Sequence, residues 1–393
     1  MKNKLRVLGI RGVPAAHGGF ETFAHHFSLY LVEHGWDVEV FCQTTTGPRF
    51  SQDEWSGVKR SKIRVKSDSS FWSVVFDFLC IFRSLDKKTP CLILGYNTAI
   101  FSIILRLFGV PVIINMDGIE WKRAKWSKVA RFWFWFNDWA GCLLGNRLIA
   151  DNPGIAAHLA TRGVSKKVVM IPYGAERLSG VDSEILEVMG LKLNEFCTLI
   201  ARPEPENSIL EIVKAFSAKK RNCKLVVLGD YSSLAGYKKK VMDSASDEVL
   251  FVGAIYDKKV VSSLRLGSRI YFHGHTVGGT NPSLVEAMGG GNAIVAHGNV
   301  YNKWVLGSGG RYFDSVSNLS ALLEEVIESH DELSLMRKAA LERFDSMFQL
   351  KHINEQYELM LLKSMGMHAE AIPSRLRMAE ARLSADSEHV YAS

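Results

Sequence analysis

Hydrophobic residues fall in short, strand-length runs, each followed by a stretch of helical spacing, and this alternation repeats along most of the chain. Residues 4–10 form the first run. RGVPAAHGGFE follows, then an amphipathic helix to about His34, where Gly35 stops it, and a second strand, DVEVFC, over 37–42. Strand, helix, strand is the unit from which parallel sheets are built. The pattern then predicts an aromatic-rich helix over 71–85, a buried strand over 91–94, an apolar helix to Phe108 and a strand over 110–115. A strand over 147–150 comes next, then a helix opened by Asn152-Pro153 and a strand over 168–171 that ends in PYGAE. The polar, acidic stretch 177–187 interrupts the alternation and reads as a linker. A second series begins near Glu195 with the strands FCTLI, CKLVVLG, VLFVG and SRIYF. No periodicity is evident around Phe344, residues 350–365 read as a last amphipathic helix, and the segment after Met367 is polar, rich in Ala and Ser, and expected to pack poorly.

A chain of 393 residues exceeds what one hydrophobic core usually holds, so two α/β domains are expected, at 1–178 and 179–350. The helix over 351–366 is expected to pack back on the first domain, ahead of a polar tail over 367–393. With 47% hydrophobic and 23% charged residues the composition is that of a globular protein. The balance of 48 basic against 41 acidic residues suits phosphorylated substrates, anionic lipid or nucleic acid and decides among none of them. Cys42, Cys80, Cys91, Cys142, Cys197 and Cys223 sit in apolar surroundings with no CxxC pair, which predicts reduced core thiols. The basic N-terminus has only a strand-length apolar run, so no signal peptide is expected. The uncharged stretch 89–105 contains Pro90, Gly95 and Asn97, and it falls short of the roughly 20 residues of a spanning helix.

Candidate chemistry concentrates in HGHTVGGTNPSLVEAM, residues 273–288. A β-prone run leads into Gly278-Gly279, then Asn281 as an N-cap and Pro282 in the first helical position, with Leu284, Val285 and Met288 on one helical face. A glycine loop feeding a helix N-terminus presents unpaired N–H groups and the positive end of the helix dipole, which suits a phosphate. Glu286, one turn in, can accept hydrogen bonds from hydroxyls such as a ribose diol. The alternative is an ordinary glycine-rich turn. Gly18-Gly19-Phe20-Glu21 repeats the arrangement early in the chain. A dinucleotide fingerprint does not fit there: two residues separate Gly9 from Gly12, five more precede Gly18, and Phe41-Cys42-Gln43, with no acidic residue, closes the second strand. Nicotinamide binding is therefore disfavoured. Asp117 and Glu120 follow the strand at 110–115, at the edge where open α/β sheets bind ligands, or else simply form a capped turn. Arg202 follows the first strand of the second series, placed to clamp a diphosphate across an inter-domain cleft or to sit exposed on a loop. His273 and His275 share a strand end without a third ligand, so no metal is expected.

The segment WKRAKWSKVARFWFWFN, residues 121–137, reads as a helix that interleaves Lys122, Arg123, Lys125, Lys128 and Arg131 with Trp121, Trp126, Trp133 and Trp135 and holds no acidic residue. Such a mixture suits a membrane interface, stacking on single-stranded nucleic acid or on sugar rings, or a helix packed by its aromatics with a solvated basic face. No nucleic-acid recognition module surrounds it, and no nucleic-acid partner is expected.

Four of these motifs, in this order, resemble a known family. GGFE, a helix and HGWDVEVF resemble the GG-x-E … HG-x-x-V-x-V opening of the retaining glycosyltransferases of family 4. IPYGAE is similar to that family's I-P-N-G strand end and ARPEPEN to its G-R-L-x-x-E-K loop. GGTNPSLVEAM resembles its glutamate, seven residues, glutamate motif. More narrowly, GIRGVPAAHGGFETF, MDGIEWKRAKWS, ADNPGI and VGGTNPSLVEAM resemble the bacterial subfamily that includes polysaccharide rhamnosyltransferases, over about residues 5–350. The resemblance implies a GT-B fold, two Rossmann-like doubly wound domains facing a central cleft. It implies that Arg202 binds the donor diphosphate and Glu286 the nucleotide ribose. Gly18 and Gly19 would lie near the donor phosphates, with Gly279, Thr280, Asn281 and Ser283 against donor sugar and phosphate. Asp117 falls at the aspartate of the family's histidine–aspartate pair, and Glu120, Trp121, Lys122, Arg123, Lys125 and Trp126 would form the acceptor or membrane side. The chain departs from the family at three positions: Gly278 replaces the first glutamate, Met116 the histidine and Asn207 the lysine. The loss of polar partners suits a 6-deoxy sugar such as rhamnose, donated from dTDP-rhamnose. The implied activity is metal-independent transfer, with retention, from a nucleotide-diphosphate sugar to a lipid-linked bacterial surface glycan (O-antigen, capsule or exopolysaccharide). The implied location is the cytoplasm, peripherally attached to the inner face of the bacterial cytoplasmic membrane by the helix over 121–139. A catalytically silent nucleotide-sugar-binding subunit and, less well matched, an NAD-dependent nucleotide-sugar enzyme stay open.

Overall fold

Strands covered on both faces need no polar side, so a parallel sheet is written as near-continuous apolar runs, and the fully buried CLIL and VIIN, polar only at Asn115, are two of them. The computed structural model describes residues 2–16, 18–123, 125–233 and 235–383. Two units divide it: the first holds the chain up to Pro172 and again from Lys351, and the second is Tyr173–Leu350.

The first unit contains β1 (Lys4–Leu8), β2 (Asp37–Thr44), β3 (Phe50–Trp55), β4 (Val58–Arg64), β5 (Cys91–Leu94), β6 (Val112–Asn115), β7 (Arg147–Ala150) and β8 (Val168–Met170). They form one sheet in the order β3-β4-β2-β1-β5-β6-β7-β8, parallel except for the β3–β4 hairpin. That hairpin, absent from the sequence expectation, turns at Ser56-Gly57, both at positive φ, and its polar FSQDEW strand lies at the sheet edge where no apolar run is required. The helices are α1 (Gly19–Glu33), α2 (Ser70–Phe82), α3 (Ser102–Leu107), α4 (Lys128–Leu144) and α5 (Pro153–Ala160). Helix α1 links β1 to β2 toward one edge, whereas α2 to α5 link strands that step toward the other. Right-handed crossovers therefore put α1 on one face and α2 to α5 on the opposite one.

The second unit contains α6 (Ser183–Val188), β9 (Phe196–Ile200), α7 (Ile209–Ser217), β10 (Lys224–Leu228), α8 (Gly236–Asp243), β11 (Val249–Gly253) and α9 (Lys258–Leu266). It continues through β12 (Tyr271–His273), α10 (Pro282–Gly289), β13 (Ile294–His297), α11 (Val300–Leu306), β14 (Gly310–Phe313), α12 (Val316–Val326) and α13 (His330–Met347). Its six strands are all parallel, in the order β11-β10-β9-β12-β13-β14. Both units are doubly wound α/β folds.

Four sequence expectations need correction. Among the described residues of 121–127 there is no α-helix: a single 3-10 turn, Glu120–Lys122, is followed by a turn in which the Trp126 N–H donates to the Arg123 carbonyl, and α4 begins at Lys128 because the Ser127 hydroxyl caps it by accepting from the Ala130 N–H. The stretch read as a linker contains α6, capped by Asp182. Helix α13 covers the region around Phe344 that showed no periodicity. Its buried face is Leu333, Met336, Ala340 and Phe344, and Ala340 gives too weak an apolar signal to complete the stripe. The segment after Met367 is mostly exposed, as expected, but it is anchored where Leu376 and Ala379 are fully buried; its end, 384–393, lies outside the described residues.

The last helix, α14 (Leu350–Ser364), packs Tyr357 on Phe23 and Phe27 of α1, with ring centroids 4.5 and 5.4 Å apart. Its Glu358, almost wholly buried, accepts hydrogen bonds from Tyr30 Oη at 2.8 Å and Trp36 Nε1 at 3.0 Å, and a fork from Arg375 at 2.7 and 2.6 Å. Burial pushes this carboxyl up, but the donors from Arg375, Tyr30 and Trp36 together hold it below the usual glutamate range. Glu358→Ala would strand a partly buried guanidinium and two ring donors, at a cost of about 3 kcal/mol or more, visible as a fall of several degrees in Tm. Because the folded pKa is depressed, Glu358 contributes its stability above the unfolded glutamate pKa and loses it as the pH falls through that value toward the folded one. The gap in Tm between wild type and Glu358→Ala should therefore narrow on acidification.

Candidate functional site

In an all-parallel sheet every strand-to-helix loop opens at the carboxyl edge. In the second unit the loops after β9, β12 and β13 meet there. Asn207 joins the first two: its Nδ2 donates to the Arg202 carbonyl at 2.8 Å, which orients the amide so that Oδ1 accepts from His275 Nδ1 at 2.7 Å. Thr276 donates to the Glu206 carbonyl from both its N–H and its hydroxyl. Asn299, from the third loop, and Asn302, in the first turn of α11 that follows it, both donate to the His275 carbonyl. Gly274 is required here, since a Cβ would lie 2.1 Å from the Asn207 carbonyl oxygen.

Asn281 caps α10 with Pro282 in the first helical position, as its sequence predicts. The cap changes the anion reading. Ser283 N–H donates to Asn281 Oδ1, and the N–H groups of Leu284 and Val285 donate to the Asn281 carbonyl, so the first turn has few free donors. The available donors lie one step earlier. The N–H groups of Gly278, Gly279 and Asn281 meet no acceptor among the described residues, and Gly278 holds φ +67°, a conformation that favours glycine.

Glu286 has a partner that sequence reasoning missed. The buried guanidinium of Arg265, from α9, meets Glu286 Oε2 at 2.6 Å and donates to Ser283 Oγ at 3.2 Å, and Tyr271 Oη lies 2.5 Å from the same hydroxyl. Glu286 keeps 31% of its side chain exposed, so one carboxylate oxygen is fixed and the other faces solvent. Arg265 lies in SSLRLGS, where an arginine reads as surface; nothing in the sequence pairs it with Glu286. Arg202 is exposed, and its guanidinium pairs with no carboxylate among the described residues. His273 is buried with no partner for Nε2 among the described residues, and burial, aided by the nearby His275, pushes its imidazole down to about 3. It is neutral and belongs to the core.

In the first unit, Gly18 holds φ +100° before α1, and a Cβ there would strike the Glu21 carboxylate, 2.3 Å away. Gly19 is the first residue of α1, and Glu21 Oε1 accepts from the Arg11 N–H at 3.3 Å. A cavity of about 290 Å³ opens beside this loop, lined in part by Arg11, Glu21, Gln43 and Lys62. Asp117, after β6, holds φ +50° and donates its N–H to Asn115 Oδ1. Burial, then the neighbouring Glu120, push its carboxyl up to about 6. Met116 is buried against Gly141 of α4. Glu120 is turned inward: it meets Arg123 at 2.9 Å and accepts from Trp126 Nε1 at 3.1 Å, and its N–H donates to Tyr96 Oη. Glu120, Arg123 and Trp126 therefore brace this loop from inside, while Lys122 and Lys125 stay exposed over the rings of Trp121 and Trp126.

Residues 2–176 match a family model described as a domain of unknown function, DUF1972. No curated protein matches the chain. Among solved structures, sucrose-phosphate synthase from Thermosynechococcus elongatus aligns with TM-score 0.79 at 16% identity, over 93% of this chain and 100% of that one. HepE of Anabaena, in complex with UDP and glucose, aligns with TM-score 0.71 at 14% identity, over 92% of this chain and 100% of that one. The UDP-forming α,α-trehalose-phosphate synthase of Burkholderia xenovorans, in complex with glucose-6-phosphate, aligns with TM-score 0.67 at 12% identity, over 92% and 100%. The chain has the GT-B fold.

Two predictions follow from the buried charges. Arg265→Met leaves Glu286 without its cation and should cost roughly 3 kcal/mol, the low end for a broken buried pair because Glu286 is part-exposed. Arg265→Met with Glu286→Met should recover part of that loss, and urea unfolding of the three proteins measures both. Asp117 has a folded pKa above its unfolded value, so the folded chain binds the extra proton between about 4 and 6, and stability falls as the pH rises through that window. Asp117→Asn, which tolerates the same backbone conformation, should raise Tm more at pH 7.5 than at pH 4.5. An equal gain at both would deny the burial cost.

Proposed function

We propose that this protein is a glycosyltransferase that takes its sugar from a nucleoside-diphosphate donor bound on the carboxyl edge of the second unit. One observation carries the reading: the N–H groups of Gly278, Gly279 and Asn281, without an acceptor among the described residues, lie ahead of α10, with the Arg265-held Glu286 one turn further on. The loop amides and the positive end of α10 take the diphosphate, where negative charge grows as the glycosidic bond breaks. The exposed Arg202, unpaired among the described residues, supplies a mobile cation to the same group, and the free oxygen of Glu286 accepts from a ribose hydroxyl. The similar structures solved with UDP, such as HepE, support this assignment. In the finer reading the sugar is rhamnose from dTDP-rhamnose, transfer retains configuration without a metal, and the acceptor is a lipid-linked bacterial surface glycan reached from the cytoplasmic face of the membrane.

A second reading is favoured by two observations. Met116 is sealed in the core and Asn207 is committed to the loop stitch, so two positions of family chemistry are occupied by structural residues. In that reading the chain binds a nucleotide sugar without transferring it.

A thermal-shift screen against dTDP, UDP, GDP and NADH separates the possibilities. A ligand at 100 times its Kd stabilises the folded state by about 2.7 kcal/mol. One nucleoside diphosphate should raise Tm, and Arg202→Ala and Glu286→Ala should each remove most of the shift. A shift with NADH alone would overturn the assignment. A diphosphate shift with no hydrolysis of any donor sugar would favour the silent subunit.

A further inference from the structure

Twelve of the eighteen large hydrophobic side chains exposed among the described residues lie on α2, on α3 with its closing Phe108, and on α4. The three helices are neighbours in that order on one face of the first unit's sheet. The most exposed are Phe71 and Phe82 of α2, Leu107 and Phe108 at the end of α3, and Val129, Phe132 and Leu143 of α4. The charge on this face has one sign. Lys122, Lys125, Lys128, Arg131 and Arg106 are exposed around it. The two acids in these helices are turned inward: Asp77 accepts from Thr98 Oγ1, and Asp138 is held by Arg162 and His158. Trp121, Lys128, Arg131, Phe132 and Trp135 line a shallow pit of about 250 Å³ in this face.

We infer that α2, α3 and α4 together form a docking face for an anionic lipid bilayer. This rests on the membrane attachment in the functional reading above, but not on its transfer chemistry. It widens that attachment from the Trp121–Trp139 segment to three helices, adding α2 and α3. An apolar centre with a basic rim is the pattern of a surface that lies in the lipid interface, and no helix among the described residues is long and apolar enough to cross a membrane. A second copy of the chain is a poorer occupant. Two-fold pairing of this face would set its lysines and arginines against their own counterparts, with no exposed acid on α2, α3 or α4 to offset them.

Co-sedimentation of the full chain with vesicles tests the inference. Wild type should bind phosphatidylcholine vesicles containing phosphatidylglycerol about 10-fold or more tightly than pure phosphatidylcholine. Phe71→Ser/Leu107→Ser/Phe108→Ser, confined to α2 and α3, should weaken binding about 10-fold or more. Lys122→Gln/Lys125→Gln/Lys128→Gln should remove the preference for the anionic vesicles. The changed side chains are exposed, so both variants should keep the wild-type Tm and its shift with a nucleoside diphosphate. That shift also separates a failure here from a failure of the transferase reading. Three results would overturn the proposal: no vesicle binding by wild type, unchanged binding by the α2 and α3 variant, or a wild-type dimer that this variant dissociates.

Discussion

The loops leaving β9, β12 and β13 are tied to one another by side-chain amides, and the carboxyl edge of the second unit has a defined shape because of those ties. Asn207, Asn299 and Asn302 converge on His275 and its carbonyl, and Gly274 lets two backbones touch. A buried polar group left unpaired costs about 1–3 kcal/mol, so loosening one loop would expose the donors and acceptors of the others. That coupling holds Gly278 and Gly279 in place ahead of α10. The Arg265–Glu286 pair does the same from the helix side, fixing one carboxylate oxygen and leaving the other to solvent.

The fold was legible wherever burial imposed periodicity. Runs such as CLIL, VIIN and KLVVL are apolar apart from Asn115 and Lys224 at their ends because both sheet faces are covered, and Asn152-Pro153 and Asn281-Pro282 announce helix starts by a mechanism that acts within a few residues. The misses share a cause. The β3–β4 hairpin lies at an edge and carries polar residues, and the face of α13 includes an alanine that gives little signal. In residues 121–127, basic and aromatic residues suggested a helix, whereas Glu120 draws Arg123 and Trp126 inward and Ser127 restarts the helix.

The candidate site was legible in position but less so in chemistry. Spacing along the chain located Asn281, Glu286 and the glycine loop. It could not show that Asn281 uses up the first-turn amides, that Asn207 is committed to a loop tie, or that Arg265 backs Glu286, because each depends on residues distant in sequence. Met116 and Asn207 look like lost chemistry in the sequence; in three dimensions they are structural parts. Specificity in such a site comes from which loop atoms remain unpaired after the fold has satisfied itself.

The central claim is that the Gly278–Asn281 loop binds a diphosphate. Isothermal titration calorimetry of the purified chain with a nucleoside, its monophosphate and its diphosphate tests it most directly. Affinity should rise by about 10-fold or more from nucleoside to diphosphate, with a salt dependence expected for an anion held by backbone amides and a cation. Equal affinity for nucleoside and diphosphate, or no binding of any diphosphate, would contradict it.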